Sequence, residues 1–148
     1  MAFRFSLRPI LRLRTSYERL ERLRLLALAA AIVRVRGEIA ALERESREAR
    51  GRMREGLALG LTGAEIQFDT VCEQFRTDRK QALETQLTEL EGKQQRQRVA
   101  YQAARQKREI LENLRERQWN EYRQKQARRE QQRLDELYLL GRRSDPTE

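Results

Sequence analysis

Histidine is absent from this chain, cysteine occurs once and proline twice. With no histidine and Cys72 alone, no Cys/His set can hold zinc and no Ser–His or Cys–His pair can act as a nucleophile. No disulfide can close within the chain either. A single cysteine in a helical pattern reads as a small apolar seam residue, and this cysteine usage suits a reducing compartment. Aromatic residues make up only 6% and mean hydropathy is −0.91, so a thick hydrophobic core is excluded. The uncharged run LLALAAAIV covers only residues 25–33, well short of the ~20 needed to span a bilayer. A secretory signal built on it would contain Glu18 and Glu21 ahead of its apolar part, which argues against a cleaved signal. Residues 1–17 carry Arg4, Arg8, Arg12 and Arg14 and no acid, a composition also found in organellar transit peptides.

What remains is Arg, Glu, Leu, Gln and Ala, with 37% of the 148 residues charged. Such a chain can bury a narrow seam between long helices, as a coiled coil does. Disorder is the competing reading of such polarity, and helical spacing of the apolar residues opposes it. The fold class read from the sequence is all-α: two long helices in an antiparallel coiled-coil hairpin, the second longer, forming a single domain over 1–148. Helix one is expected over about 6–59, with Ser6 as N-cap and Pro9 in the first turn, where its missing N–H costs nothing. Two apolar registers follow. Ile10, Leu13, Tyr17 and Leu20 form one; Leu25, Leu28, Ile32, Val35, Ile39 and Leu42 form the other, continued by Ala49 and Met53. They are offset by one residue near 20–25, which predicts a local change of supercoil. Leu23, Leu26 and Val33 lie off the seam.

The helical pattern loosens at GLALGLTGAE, residues 56–65, where Gly56, Gly60 and Gly63 fall close together. Three glycines cost a continuous helix about 3 kcal/mol relative to alanine. Thr62 and Glu65 have the spacing of a capping box. The three glycines are therefore expected to form a hinge, with a turn at about 57–62 and helix two over about 63–140. No strand precedes the glycines and no Lys-Ser/Thr follows, so a phosphate-cradling loop is excluded. The second helix has an early seam of Phe68, Val71/Cys72, Phe75, Ala82/Leu83, Leu87 and Leu90. Further on come Tyr101, Ala104, Leu111, Leu114, Trp119, Tyr122, Leu134 and Leu137. Gly92 reads as a weak spot, Gly141 as a C-cap and 141–148 as a disordered tail. A short turn places residue i opposite roughly 119 − i, Ile10 near Glu109, and leaves ~40 Å of helix two beyond the start of helix one. A lone helix there is marginal in water, so Trp119 and Tyr122 should need a partner or the arm bearing Phe3 and Phe5.

Charge is uneven: residues 1–59 are +7, 60–92 are −4, 93–134 are +8 and 135–148 are −2. The formal net charge of +9 and pI near 10.5 raise nucleic-acid binding as one reading. The arginines are interleaved with glutamates, however, and no helix-turn-helix, finger or aromatic-basic loop is present. An acidic protein partner at the basic segments is the other reading.

Three stretches carry a family resemblance. Phe5, Leu7, Ile10, Leu11, Leu13 and Arg14 match an F-x-L-x-x-[VI]-L-x-L-R opening. The layout is a helix of about 50–55 residues, a glycine-containing break and a longer helix. Lys107-Arg108-Glu109-Ile110-Leu111-Glu112-Asn113-Leu114-Arg115-Glu116-Arg117, then Tyr122, then Leu134-Asp135-Glu136-Leu137, is similar to an R-K-x-L-E-x-L-x-E-R … Y … L-D-E tail. Over nearly its whole length the chain resembles the FliJ family of the bacterial flagellar export apparatus, whose relatives are the YscO-type stalks of type III secretion. The resemblance implies a non-enzymatic, cytoplasmic stalk, peripheral at the inner membrane through its partners, with no cofactor, metal or small-molecule substrate. The implied partners are the export ATPase hexamer, the cytoplasmic domain of the export gate membrane protein and the export chaperones. Arg8, Arg12, Arg14, Arg105, Arg108, Arg115 and Arg117, with Trp119 and Tyr122 as anchors, would meet the ATPase ring. Leu42, Phe68, Cys72 and Phe75 would face the gate. A basic nucleic-acid-binding coiled coil and a homo-oligomeric structural protein stand as alternatives.

Overall fold

Two helices account for nearly all of the described residues, 2–143, in this computed structural model: α1, Arg8–Leu59, and α2, Gly63–Arg143. They pack against each other as an antiparallel coiled-coil hairpin, α2 being the longer. Helix α1 begins two residues past Ser6. The Arg8 N–H donates to the Phe5 carbonyl at 3.2 Å, and the Leu7 carbonyl accepts from the Leu11 N–H at 2.9 Å. Leu7 therefore occupies the cap position instead of Ser6, and Pro9 still lies in the first turn, where an N–H has no intrahelical acceptor.

At the turn, Gly60 has φ +89°, the left-handed conformation that ends helices and that a Cβ disfavours. Thr62 and Glu65 close the capping box in both directions. The Thr62 N–H donates to Glu65 Oε2 at 2.8 Å, and the Glu65 N–H donates to Thr62 Oγ1 at 3.3 Å. Gly56 remains helical and serves a different purpose: a Cβ there would stand 2.9 Å from Leu61 Cδ1, so its missing side chain makes room for Leu61. Gly63 is the first residue of α2 and faces open space. Helix α2 passes unbroken through Gly92 and Gly141. Gly141 is thus no C-cap: the chain is helical to Arg143, and Gly60 is the positive-φ residue among those described. The part of the expected tail at 144–148 lies outside the described residues.

The structure divides into two compact units: Arg19–Gln102, and the residues through Glu18 together with those from Ala103 onward. In Arg19–Gln102, α1 turns Leu25, Leu28, Ile32, Val35, Ile39, Leu42, Ala49 and Met53 inward, and α2 answers with Cys72, Leu83, Leu87 and Leu90. Val35 and Leu83 are each only 2% exposed. Antiparallel pairing appears in the ion pairs Arg50–Glu73, Glu43–Lys80 and Arg36–Glu91, at 3.5, 3.1 and 3.0 Å. Arg50 thus meets Glu73 where the simple hairpin rule pointed to Asp69, since a long guanidinium side chain reaches a full turn along its neighbour. Phe68, Val71 and Phe75 do not join the seam as expected. They point outward, and Cys72 and Arg76 take the inward positions.

In the terminal unit, Phe5 and Leu11 are buried, and Thr15 with Arg14 and Glu18 is half-buried. The expected register of Ile10, Leu13, Tyr17 and Leu20 is the outward one: these are 44%, 52%, 49% and 43% exposed. Ile10 is therefore turned outward, and the Glu109 carboxylate accepts from Arg105 Nε at 2.8 Å. The inward positions Leu11, Arg14, Glu18, Glu21, Leu25 and Leu28 alternate steps of 3 and 4 with no offset. A helix turns 100° per residue, so an unbroken helix whose stronger apolar seam lies at Leu25–Met53 carries that phase back toward its start. The predicted slip does not occur.

Candidate functional site

The terminal unit begins with a non-helical arm. Its Phe3 packs on α2 between two rings, 5.2 Å from Trp119 edge-on and 5.7 Å from Tyr122, which themselves stack at 5.8 Å. Such aromatic pairs add about 0.5–1.5 kcal/mol each beyond their burial. Trp119 and Tyr122 thus have an intramolecular partner in the arm, as the sequence suggested for Phe3. Trp119 remains 42% exposed.

Beside this cluster the seam turns polar. Arg108 donates to both Glu18 and Glu112. The Glu18 carboxylate raises the Arg108 pKa above its ordinary value first, against desolvation, and Glu112 adds to it. Arg108 is therefore held within the fold. Arg105 is likewise paired, with Glu109, and Arg14 is half-buried. The structure brings three of the sequence-selected arginines together: Arg8, Arg12 and Arg115 line one open groove of about 520 Å³ with Thr15 and Ser16. The carboxylate in that lining is Glu112, already engaged by Arg108. The groove thus keeps an excess of positive charge suited to acidic side chains. Arg117 is exposed on α2. Beyond Tyr122, all side chains to Arg143 except Gln126 are exposed, including Leu134, Leu137, Tyr138, Leu139 and Leu140.

In Arg19–Gln102, a carboxylate sits among cations. Arg76 donates to Glu73 Oε2 from Nε at 3.2 Å and from Nη2 at 2.7 Å, and Arg50 reaches Glu73 Oε1 at 3.5 Å. The Arg76 hydrogen bonds hold the Glu73 carboxyl below its ordinary value, against desolvation and with help from Ser46. Leu42 lines the same polar groove with Arg47, Arg50 and Arg76. Leu42 and Cys72 are half-buried, whereas Phe68 and Phe75 are each 72% exposed. The four residues selected for the gate therefore separate into an inward pair and an outward pair. Val71, 67% exposed, joins the outward pair. Steps of 3 and 4 place Phe68, Val71 and Phe75 on one helix face, the spacing of an anchor stripe. That spacing was legible in the sequence, but its direction was not. Among the described residues no group of His, Cys, Asp and Glu is arranged to hold a metal ion, and no helix is long and apolar enough to cross a membrane.

Compared with known proteins, residues 3–143 match the family model described as "Flagellar FliJ protein". No curated protein and no solved structure matches the chain.

Proposed function

This chain belongs to the FliJ family of flagellar export components, and from that premise we propose that it is a coiled-coil stalk that binds and activates the export ATPase ring, coupling it to the export gate and chaperones. The observation that best supports a ring contact is the groove of Arg8, Arg12 and Arg115, whose cations stand together on the surface while Arg105 and Arg108 are spent on internal pairs. Cationic side chains of this kind speed encounter with acidic loops and add salt-sensitive affinity. Phe68, Val71 and Phe75 form the gate contact in this reading, because large exposed apolar residues at helical spacing are how a helix is read by a partner groove. The protein works at the cytoplasmic face of the inner membrane, reached through these partners, and catalyses nothing itself.

The test uses the full chain and the purified export ATPase. ATP hydrolysis should rise on adding the chain, and Arg8→Glu/Arg12→Glu/Arg115→Glu should abolish the rise with helicity unchanged. Phe68→Ala/Phe75→Ala should leave stimulation intact and weaken capture by the gate domain. Failure of the chain to retain either the ATPase or the gate domain would sink the proposal.

A further inference from the structure

Between Leu23 and Ala40, α1 carries an apolar stripe on the face turned away from α2. The inward seam runs Leu25, Leu28, Ile32, Val35, Ile39 and Leu42. Two residues before each of these stand Leu23, Leu26, Ala30, Val33, Gly37 and Ala40. Two residues of helix are about 200° of rotation, so the second set faces almost opposite the first. All of that set are uncharged and exposed, Leu23, Leu26 and Val33 at 57%, 56% and 68%. Gly37 stands inside a helix, where glycine is the least suitable residue after proline, and a Cβ there would meet nothing within 4 Å. Nothing among the described residues therefore requires glycine at this place, whereas a second backbone passing close over it would.

The charges around the stripe select what covers it. Arginines lie one turn, four residues, from its members: Arg19 before Leu23, Arg22 before Leu26, Arg34 after Ala30, Arg36 before Ala40 and Arg44 after Ala40. Arg36 pairs with Glu91 at 3.0 Å, but Arg19, Arg22, Arg34 and Arg44 make no ion pair among the described residues. The acids of residues 19–44 are engaged elsewhere, Glu21 with Arg24, and Glu38 and Glu43 with Arg79 and Lys80 of α2.

We propose that this outer face of α1 receives an amphipathic helix of a partner protein, one whose apolar seam is flanked by carboxylates. The alternating steps of 3 and 4 are those of a coiled-coil seam, Gly37 lets a second helix come close, and the unpaired arginines meet the flanking acids. A second copy of this chain is disfavoured. Antiparallel pairing along the stripe sets Arg19 of one copy against Arg44 of the other, and parallel pairing sets each arginine against itself. A lipid surface is disfavoured too, since Ala30, Gly37 and Ala40 offer it little apolar area. The face is separate from the arginine groove and from Phe68–Phe75, so this inference goes beyond the proposed function and stands or falls separately.

The experiment uses the full chain and a designed probe: a dye-labelled four-heptad helical peptide with Leu at the a and d positions and Glu at e and g, its binding followed by fluorescence anisotropy. A matched peptide with Lys in place of Glu, vesicles of anionic phospholipid, and the molar mass of the chain alone complete the set. The chain is expected to bind the Glu peptide, more weakly as salt rises, and not the Lys peptide. Arg22→Glu/Arg34→Glu should reverse that preference. Gly37→Leu separates a partner contact from a structural role. Leucine is the better helix former and meets open space, so the melting midpoint should rise. The added bulk should meanwhile weaken Glu-peptide binding by at least about tenfold, as overpacking of a close helix contact does. A wild-type chain that ignores the Glu peptide or binds the Lys peptide equally would overturn the proposal. So would unchanged binding or a lowered midpoint in Gly37→Leu, preferential uptake on vesicles, or a stable dimer lost in Gly37→Leu.

Discussion

At the scale of single residues, the three hinge glycines separate into three roles. Gly60 alone needs a backbone conformation that L side chains resist. Gly60→Ala is expected to cost about 1–2 kcal/mol, the penalty for a Cβ in the left-handed region, measured from the urea unfolding midpoint. Gly63→Ala, at an open first helical position, should be neutral or should stabilise by up to about 1 kcal/mol, because it restricts the unfolded chain. Gly56→Ala presses on the Leu61 side chain, whose shift should be visible in methyl NMR. Thr62→Ala removes the acceptor for the Glu65 N–H and should cost about 1 kcal/mol.

Glu73 ties acid sensitivity to one residue. Its carboxyl ionises below the ordinary 4.5 when folded, because Arg76 donates to it. A depressed folded value means the ionised form contributes stability in full above about pH 4.5, and that contribution is lost as pH falls through the lower folded value. Glu73→Gln should therefore be less stable than wild type at pH 7, with the gap narrowing toward pH 3. A gap of constant size across that range would show that the ion pair carries no stability.

At the scale of the helices, the seam of the terminal unit joins the ion pair Glu18–Arg108 to buried Phe5 and Leu11, where the seam of Arg19–Gln102 is mainly Leu, Ile and Val. Removing one partner of a half-buried pair leaves the other unsatisfied, and Arg108→Leu should cost about 1–3 kcal/mol. Replacing both, as Glu18→Leu/Arg108→Leu, should recover that loss or exceed wild-type stability, since well-packed apolar residues often outperform such pairs. A double-mutant cycle on melting midpoints reads the coupling. If the double variant is more stable but populates a second packing, seen as doubled Trp119 resonances, then the pair's contribution is to choose the face of α1. A single packing is expected, because the unbroken helix carries the phase set at Leu25–Met53 back to Leu11.

At the scale of the whole molecule, few side chains beyond Tyr122 add burial, and apolar burial is the main source of helix stability in a hairpin. A chain ending after Gln126 should keep its melting midpoint within about 4 °C of the full chain by circular dichroism, while losing the exposed Leu134, Leu137, Tyr138 and Leu140. A much larger drop would mean that this segment stabilises the fold. A midpoint within that range would show that the fold does not require the distal part of α2, where Leu134 and Leu137 stand exposed.

The sequence by itself determined the helices, the place of the turn and the cap that starts α2. Each depends on residues within a few positions of one another: 3–4 spacing, a glycine at a left-handed site, and the Thr62–Glu65 pair. It also carried the family signature in Phe5–Arg14 and Lys107–Leu137. It did not determine which face of each helix points inward. Over residues 10–20, counting apolar residues favours Ile10, Leu13, Tyr17 and Leu20, yet the helix turns Leu11, Arg14 and Glu18 inward. Over 68–75 it favours Phe68, Val71 and Phe75, yet Cys72 and Arg76 go in. The physical reason is shared: neighbouring positions differ by 100° of rotation, and a continuous helix has one phase. The long apolar stretch Leu25–Met53 against Leu83–Leu90 sets that phase, and the ion pairs Glu18–Arg108 and Glu73–Arg76 fit it. Only the packed helices could decide that the best apolar residues near the start of α1 and at the start of α2 would be left facing water, where partners can reach them.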